Sequence, residues 1–492
     1  MSKAWMVFWI GAGLIFLSAA TTHAAAPADE SRVFRAGAVR ADITPELGMM
    51  IVGGFSPTPA KQIHDELSVR TLVLDDGRQR IAFVVCDSLG LPREVCDEAK
   101  RMTQQLTGLD PAHVLISATH THSGAFAGAE TSLGFPPGEG PPTVPLAPYQ
   151  RFLVKRIADS VQRAINQLEP ARIGWGSGRE PGQVFNRRWF VGDEAQRRNP
   201  FGGVDTVRMN PPAGSASLLK PAGPTDPEIP FIAVQDKSGR PIALLAVYSL
   251  HYVGGIPHGV VSADYYGLFA ERLAQLVGVD RGPSPPFVGM MANGTSGDIN
   301  NINFREKRGS LPPFGQMEKV AAIIAAEVYR AYQVVTYQDW VPLDARYEEL
   351  SVGSRRPTPE MIQRARDLLE GRKPWPGWHP NEKVYAARVL FRAKAPESVA
   401  LPLQAFRIGD VAIMSIPAEP FAEIGLDLKA RSPFPRALTI GLANGYWGYL
   451  PSEAQHPLGG YETWVGTNRL EIAAATKITS TLLRLVKDMH HD

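Results

Sequence analysis

What most constrains this chain is an alternation that runs along most of its length. Short apolar runs rich in β-branched residues take turns with segments of helical periodicity. The runs are Thr71–Leu74, Ile81–Cys86, Val114–Ala118, Ala171–Trp175, Phe231–Gln235, Ile242–Leu250, Phe287–Ala292, Leu401–Ile408 and Val411–Ile416, all of strand length and composition. Helical spacing marks Pro148–Leu168, Asp264–Val277, Met317–Val335, Pro359–Glu370 and Arg469–Met489. Helices interleaved with strands predict an α/β fold of layered mixed β-sheets flanked by helices. Phe135–Pro145 and Asn210–Pro230 are rich in Pro and Gly and read as long surface loops, a length that often serves as a lid. No internal repeat or low-complexity tract breaks the pattern, so residues 32–492 read as one large domain.

Composition narrows the partners. With 44% hydrophobic and 20% charged residues, the 492-residue chain has ample core, which excludes a disordered chain, a collagen or a long coiled coil. Lys and Arg number 51 against 49 Asp and Glu, a net charge of +2 that offers no electrostatic case for nucleic acid or an anionic membrane surface. Two cysteines cannot make a disulfide scaffold, and Cys86, closing an apolar run, reads as a buried free thiol. At the N-terminus Lys3 precedes an apolar stretch, Trp5 to Ala20, of about 15 residues, short of the ~20 that span a bilayer. Thr22-His23-Ala24-Ala25-Ala26 then offers small residues for a signal peptidase, so residues 1–25 are assigned as a signal peptide. The mature protein is expected to be periplasmic or secreted, with no transmembrane segment.

The sharpest chemical feature is Ser117-Ala118-Thr119-His120-Thr121-His122-Ser123-Gly124, two histidines at i and i+2 just past a buried strand. If the chain stays extended both imidazoles point the same way, and Gly124 allows a sharp turn at a cavity edge. Imidazole is the commonest zinc ligand, and a second histidine beside a metal can act as base; a pair of loop histidines with ordinary hydrogen bonds fits the local sequence equally well. His251 likewise follows the apolar run Leu244–Leu250 and leads into Val253-Gly254-Gly255, and Glu419 in Pro417-Ala418-Glu419-Pro420 follows the run Val411–Ile416. Alone, Glu419 reads as a helix-start carboxylate. Three metal-capable side chains, each at the carboxyl end of a separate strand, form a stronger pattern, because α/β sheets collect ligands beyond those ends. His, His and carboxylate is also the protein ligand set of hydrolytic zinc sites.

These elements, together with Asn186-Arg187, Gly297-Asp298-Ile299-Asn300-Asn301, and Tyr449 followed 12 residues later by Tyr461, occur in the order seen in neutral ceramidases, and Ala36–Pro45 is similar to the start of that catalytic domain. The resemblance runs from about residue 35 to the C-terminus and implies a single large catalytic domain of the neutral ceramidase type. It implies a zinc ion (Zn2+) held by His120, His251, Glu419 and Tyr449, with His122 as general base and Arg187 and Tyr461 binding the carbonyl oxygen. The reaction implied is hydrolysis of the N-acyl bond of a ceramide-like lipid or other small-molecule N-acyl substrate. Only the resemblance separates Tyr449 from Tyr446.

Two departures stand out. Family members usually carry a catalytic serine where this chain has Asn300, and many append an immunoglobulin-like domain for which no strand series follows Arg469–Met489. Ser296 lacks the second glycine of a nucleophile elbow, so a metal-activated water is the expected nucleophile. Asn300 is expected to hydrogen-bond the substrate, and Asp264 or Asp298 to orient a ligand histidine. Phe126, Phe135, Trp189, Phe190 and Tyr252 are candidate walls of a lipid groove. A zinc esterase or lactonase, and a non-catalytic binding protein on the same scaffold, are the alternative readings.

Overall fold

A strand as uniformly apolar as Val114–Ala118 must be covered on both faces. The computed structural model describes Met1 and residues 32–54, 57–125, 127, 146–278, 285–307, 309, 311–372 and 378–491. Residues 2–25 of the signal-peptide segment, the segment 135–145, Phe126 and Phe135 lie outside the described residues. Val33–Asp492 form one unit, which holds every strand and helix named below.

The longer strands are β1 (Arg35–Asp42), β2 (Ser68–Asp75), β3 (Arg80–Cys86), β4 (Val114–Ala118), β5 (Glu169–Arg179), β6 (Glu228–Asp236), β7 (Pro241–Tyr248), β8 (Val288–Asn293), β9 (Leu343–Gly353), β10 (Ser398–Ile408), β11 (Val411–Ser415) and β12 (Arg436–Ile440). The helices are α1 (Arg93–Thr107), α2 (Pro148–Asn166), α3 (Asp264–Val277), α4 (Gly315–Tyr332), α5 (Pro359–Leu369), α6 (Glu382–Arg392), α7 (Ala422–Arg431) and α8 (Ala474–His491). Eight strands form one sheet in the order β8-β7-β6-β5-β1-β2-β3-β4, and four form a second, β9-β10-β11-β12.

Side-chain alternation assigns the layers. On β7, Leu244 and Ala246 face α3 and α4, whereas Ile242, Leu245 and Val247 join a cluster with Phe406, Ile408 and Ile413 of the second sheet. The two sheets therefore bury their inner faces against each other, with the Phe83 and Phe406 rings 5.2 Å apart across the gap. Helices α1 to α4 cover the outer face of the large sheet, and α7 and α8 that of the small one. The layering matches the expectation from the sequence. Helix α3 shows why: Tyr265, Tyr266, Phe269 and Leu273 recur at helical spacing and are buried, and Gly278 closes the helix in a left-handed conformation.

The differences from the sequence reading have physical causes. Strand β1 (RAGAVRAD) is built from small and charged residues, and β9 (LDARYEELSVG) leaves much of its length partly or fully exposed, so neither reads as an apolar run. Helix α1 buries only Val95, Cys96, Ala99, Lys100 and Thr103, too polar a stripe to announce itself. The segment Asn210–Pro230 is not a structureless loop, since Leu218–Pro221 pairs with Arg188–Val191 and β6 begins at Glu228. Both cysteines are free and buried.

Candidate functional site

Parallel neighbours in a sheet require crossover connections, and the longer described strands make three. The pairs β3/β4, β7/β8 and β11/β12 are parallel, bridged by α1, α3 and α7. Beyond the carboxyl ends of these strands stand the residues with chemistry: His120 and His122 after β4, His251 after β7, Gly297 and Asp298 after β8, Glu419 after β11, and Tyr446 and Tyr449 after β12.

The chain does not leave β4 extended, the condition under which both imidazoles would point the same way, and the turn that Gly124 would allow is not made there, since Gly124 pairs as a strand with Val52. It turns at His120, whose φ is +75°, held by hydrogen bonds from Thr119 N to Cys86 O (2.9 Å) and from His120 N to Ser88 O (2.8 Å). The turn still brings the imidazoles together. His120 Nε2 lies 3.1 Å from His251 Nε2 and 3.1 Å from His122 Nε2. Glu419 Oε2 is 3.2 Å from the first and 3.6 Å from the second of these Nε2 atoms.

The outer ring nitrogens fix which way the protons point. His120 Nδ1 donates to the Leu89 carbonyl at 2.6 Å and His251 Nδ1 to the Ser296 carbonyl at 3.2 Å, because a carbonyl can only accept. In the neutral tautomers this leaves both Nε2 lone pairs facing the centre. Lone pairs 3.1 Å apart repel, and Glu419 Oε2 adds a buried carboxylate oxygen with no hydrogen-bond partner. A cation resolves this conflict. Tetrahedral zinc with bonds near 2.0–2.1 Å spaces its ligand atoms by about 3.3 Å, the range seen here, so the donor set fits such an ion. Burial by itself pushes the Glu419 carboxyl up, but a positive charge at the His120 position, the Tyr446 hydroxyl and the Arg187 charge outweigh it and lower it below the usual range, so the carboxylate is ionised when the centre carries a cation. Burial and then the neighbouring His120 lower His122 well below the ordinary imidazole range, and burial and then Arg187 do the same for His251. Both rings are thereby kept neutral.

The second sphere differs from expectation. Neither Asp264 nor Asp298 touches an imidazole. Asp264 accepts from Val253 N and Gly254 N, fixing the loop after His251, and Asp298 accepts from Asn186 Nδ2 and Ala422 N, tying the Arg187 segment to α7. Backbone carbonyls already serve the Nδ1 atoms of His120 and His251, which leaves these carboxylates no ring proton to accept. Tyr446, which the sequence did not distinguish from a core aromatic, donates to Glu419 Oε1 at 2.5 Å. Tyr449 pairs by backbone with Glu419, and its ring stands 6.3 Å from the His251 ring.

Arg187 is buried, not a surface cation. Its Nε donates to Glu462 Oε1 (2.9 Å), its Nη2 to Gly297 O (2.8 Å), and the guanidinium lies 5.2 Å over the Tyr449 ring. Glu462 also accepts from Arg188 Nη1 at 2.8 Å, so one buried carboxylate holds both arginines. The sequence places Glu462 directly after Tyr461 in the motif but gave it no role. The Tyr461 ring packs against Tyr449 at 5.7 Å. Asn300 sits on a short strand opposite Phe185, and its Nδ2 donates to Asn210 Oδ1 at 2.9 Å rather than to the histidines. Of the candidate groove walls, Tyr252 stacks on His122 with centroids 3.5 Å apart, whereas Trp189 is buried with Val191 and Phe304, and Phe190 lies under Lys220. No described helix is long and apolar enough to cross a membrane.

Comparison with known proteins agrees with this architecture. A neutral ceramidase of Mycobacterium tuberculosis is 23% identical over 91% of this chain and 76% of its own length. The crystal structure of the neutral ceramidase from Pseudomonas aeruginosa superposes with a TM-score of 0.67 over 94% of this chain and 75% of that one, at 18% identity. A ceramidase complexed with C2 gives a TM-score of 0.66 over 94% and 76% at 17% identity. At these identities the two structures show a shared fold. A family profile described as neutral/alkaline non-lysosomal ceramidase, N-terminal, matches residues 34–306, more than half of the chain, which therefore belongs to that family.

Proposed function

We propose that this protein is a zinc-dependent amidohydrolase that cleaves the N-acyl bond of a ceramide-like or other N-acyl substrate. The observation that carries this reading is the convergence of the His120 and His251 Nε2 atoms on an unpartnered, buried oxygen of Glu419, with the His122 Nε2 3.1 Å from that of His120. His120, His251, Glu419 and the Tyr449 hydroxyl are the residues assigned to hold the metal. When bound, zinc supplies Lewis acidity and ionises a water near neutral pH.

The chain's own residues do the rest. His122 is neutral, as a base must be, and Tyr252 holds its ring by stacking. It takes the proton of the attacking water and returns it to the leaving amine. Arg187, fixed by Glu462 and Gly297, and the Tyr461 hydroxyl face the charge that develops on the carbonyl oxygen. Each such preorganised donor is typically worth about 3–4 kcal/mol. Asn300 offers a hydrogen bond to polar groups of the substrate. His122 Nε2 is as close to His120 as His251 Nε2 is, but only His251 also approaches Glu419 Oε2, at 3.6 Å, and the assignment of His122 as base follows the family pattern. We also propose that residues 1–25 direct export to the periplasm or beyond and that residues 32–492 are the catalytic domain.

The test is a screen of the zinc-loaded enzyme against ceramides and N-acyl amino acids, each beside its isosteric ester. Amide turnover that chelation abolishes is expected. Cleavage of esters alone would contradict the amidase reading in favour of an esterase or lactonase.

A further inference from the structure

Tyr461 is also a wall of a separate cavity of about 270 Å³. Its ring packs edge-on against Tyr449 on the metal-site loops and, at 5.8 Å, against Trp464, which lines that cavity. One aromatic side chain thus joins the two features.

The charge of the cavity is lopsided. Arg197, Arg198 and Arg208 line it, and among the described lining residues Asp205 is the one carboxylate. That carboxylate is already committed to neutral donors. Its Oδ1 accepts from Asn199 Nδ2, and its Oδ2 from the Gly460 N–H and the Trp464 indole N–H, each at 2.8 Å. The guanidinium groups spend few of their donors on the protein. Arg197 gives one Nη to the Asp205 carbonyl, while its Nε is buried with no partner. Arg208 makes two long contacts to Gln196, at 3.3 and 3.4 Å. Arg198 lies over the Trp378 ring at 4.2 Å and makes no ion pair among the described residues. Three planar cations with spare N–H donors around one cavity are suited to an oxyanion, which guanidinium forks bind in bidentate fashion.

We propose that this cavity receives an anionic group, a carboxylate or a phosphate, carried on the amine half of the N-acyl substrate. The proposal rests on the reading of Tyr461 as a carbonyl-oxygen donor. The acyl half is the poorer occupant of the arginine side, because an alkyl chain laid against three guanidinium groups would strip their water and offer no hydrogen bond in return, while Val207, Met209 and Trp464 on the other walls suit the carbon skeleton that carries the anionic group. The substrate class is thereby narrowed. An N-acyl amino acid or a phosphorylated N-acyl amine suits this chain better than a neutral ceramide.

The test compares three compounds with one acyl chain: N-dodecanoylglycine, N-dodecanoyl-O-phosphoethanolamine and the neutral N-dodecanoylethanolamine. With the zinc-loaded full chain, kcat/KM for at least one anionic compound is expected to exceed that for the neutral one by about tenfold, and which one distinguishes carboxylate from phosphate. R197Q and R208Q should each lower that ratio about fivefold, chiefly through KM, and added salt should lower it too. Binding is read separately by calorimetric titration into the His122→Ala enzyme, where adding R208Q should weaken the anionic compounds about fivefold. If R208Q fails to fold, R198Q, at an exposed position, carries the same comparison. Equal kcat/KM for all three compounds, with ratios unmoved in the variants, overturns this proposal and leaves the amidase reading standing. Absence of amide turnover for every compound overturns the amidase reading, and arginine-dependent anion binding in the calorimeter would then still support the cavity assignment.

Discussion

A histidine at φ +75° is a costly way to leave a strand, of the order of 1–3 kcal/mol for a side chain with a Cβ. At His120 the cost is offset by two backbone hydrogen bonds to the Cys86–Ser88 segment, and it buries Nε2 against His251 and Glu419. The contacts that tune the cluster are of the same kind. Tyr446 donates to Glu419 Oε1, the oxygen turned away from the imidazoles, so its hydroxyl orients the carboxylate without touching the centre. Tyr446→Phe keeps the ring and removes that bond. Outer-sphere losses of this type typically cost about 10–100-fold in metal affinity, and competition with a chromophoric chelator should read that range. Affinity equal to wild type would show that the Tyr446 hydroxyl is a passive core group. At this scale the metal-capable side chains were legible as residue types after apolar runs, whereas their supports were not. Leu89, Ser296 and Glu462 act across separations of 31, 45 and 275 residues from the groups they hold, and two of them act through a backbone carbonyl that any residue would supply.

Between elements, the site depends on how closely loops from different crossovers approach. Gly297 follows β8 and lies directly on the Glu419 loop, donating its N–H to Pro420 O at 2.9 Å and accepting from Arg187 at its carbonyl. A Cβ there would meet Glu419 O at 2.4 Å and Pro420 O at 3.0 Å, both backbone atoms that cannot swing aside. Gly297→Ala should therefore push the Glu419 loop and Arg187 apart together, costing about 1–3 kcal/mol in denaturant unfolding and lowering metal affinity in parallel. Unchanged stability with unchanged metal binding would mean the loops are not locked in this way. Elements with clear periodicity, such as α3 and β4, were legible almost to the residue, because a strand covered on both faces and a helix with one apolar stripe leave simple patterns. Strand β9 left no such pattern, since much of its length stays in contact with solvent.

Across the whole molecule, two sheets packed face to face with helices outside place three crossover units so that their strand ends share one rim. The layering followed from the alternation of strand and helix patterns. The meeting of the loops did not, because it is set by which strands are neighbours, and β7 and β8 stand at the far edge of the large sheet from β4. Family resemblance supplied that link by ordering the motifs, and the packed loops supply the distances. The proposed chemistry stands or falls on one catalytic zinc ion at this rim. Its decisive check is metal analysis of the purified full chain beside His120→Ala, Glu419→Ala and His122→Ala, with amide turnover measured on the same samples. One zinc per wild-type chain, lost with activity in His120→Ala and Glu419→Ala and kept in His122→Ala while most of the rate disappears, is the expected outcome. A wild-type protein that turns over amides without stoichiometric metal, or a Glu419→Ala variant that keeps both zinc and full turnover, would refute it.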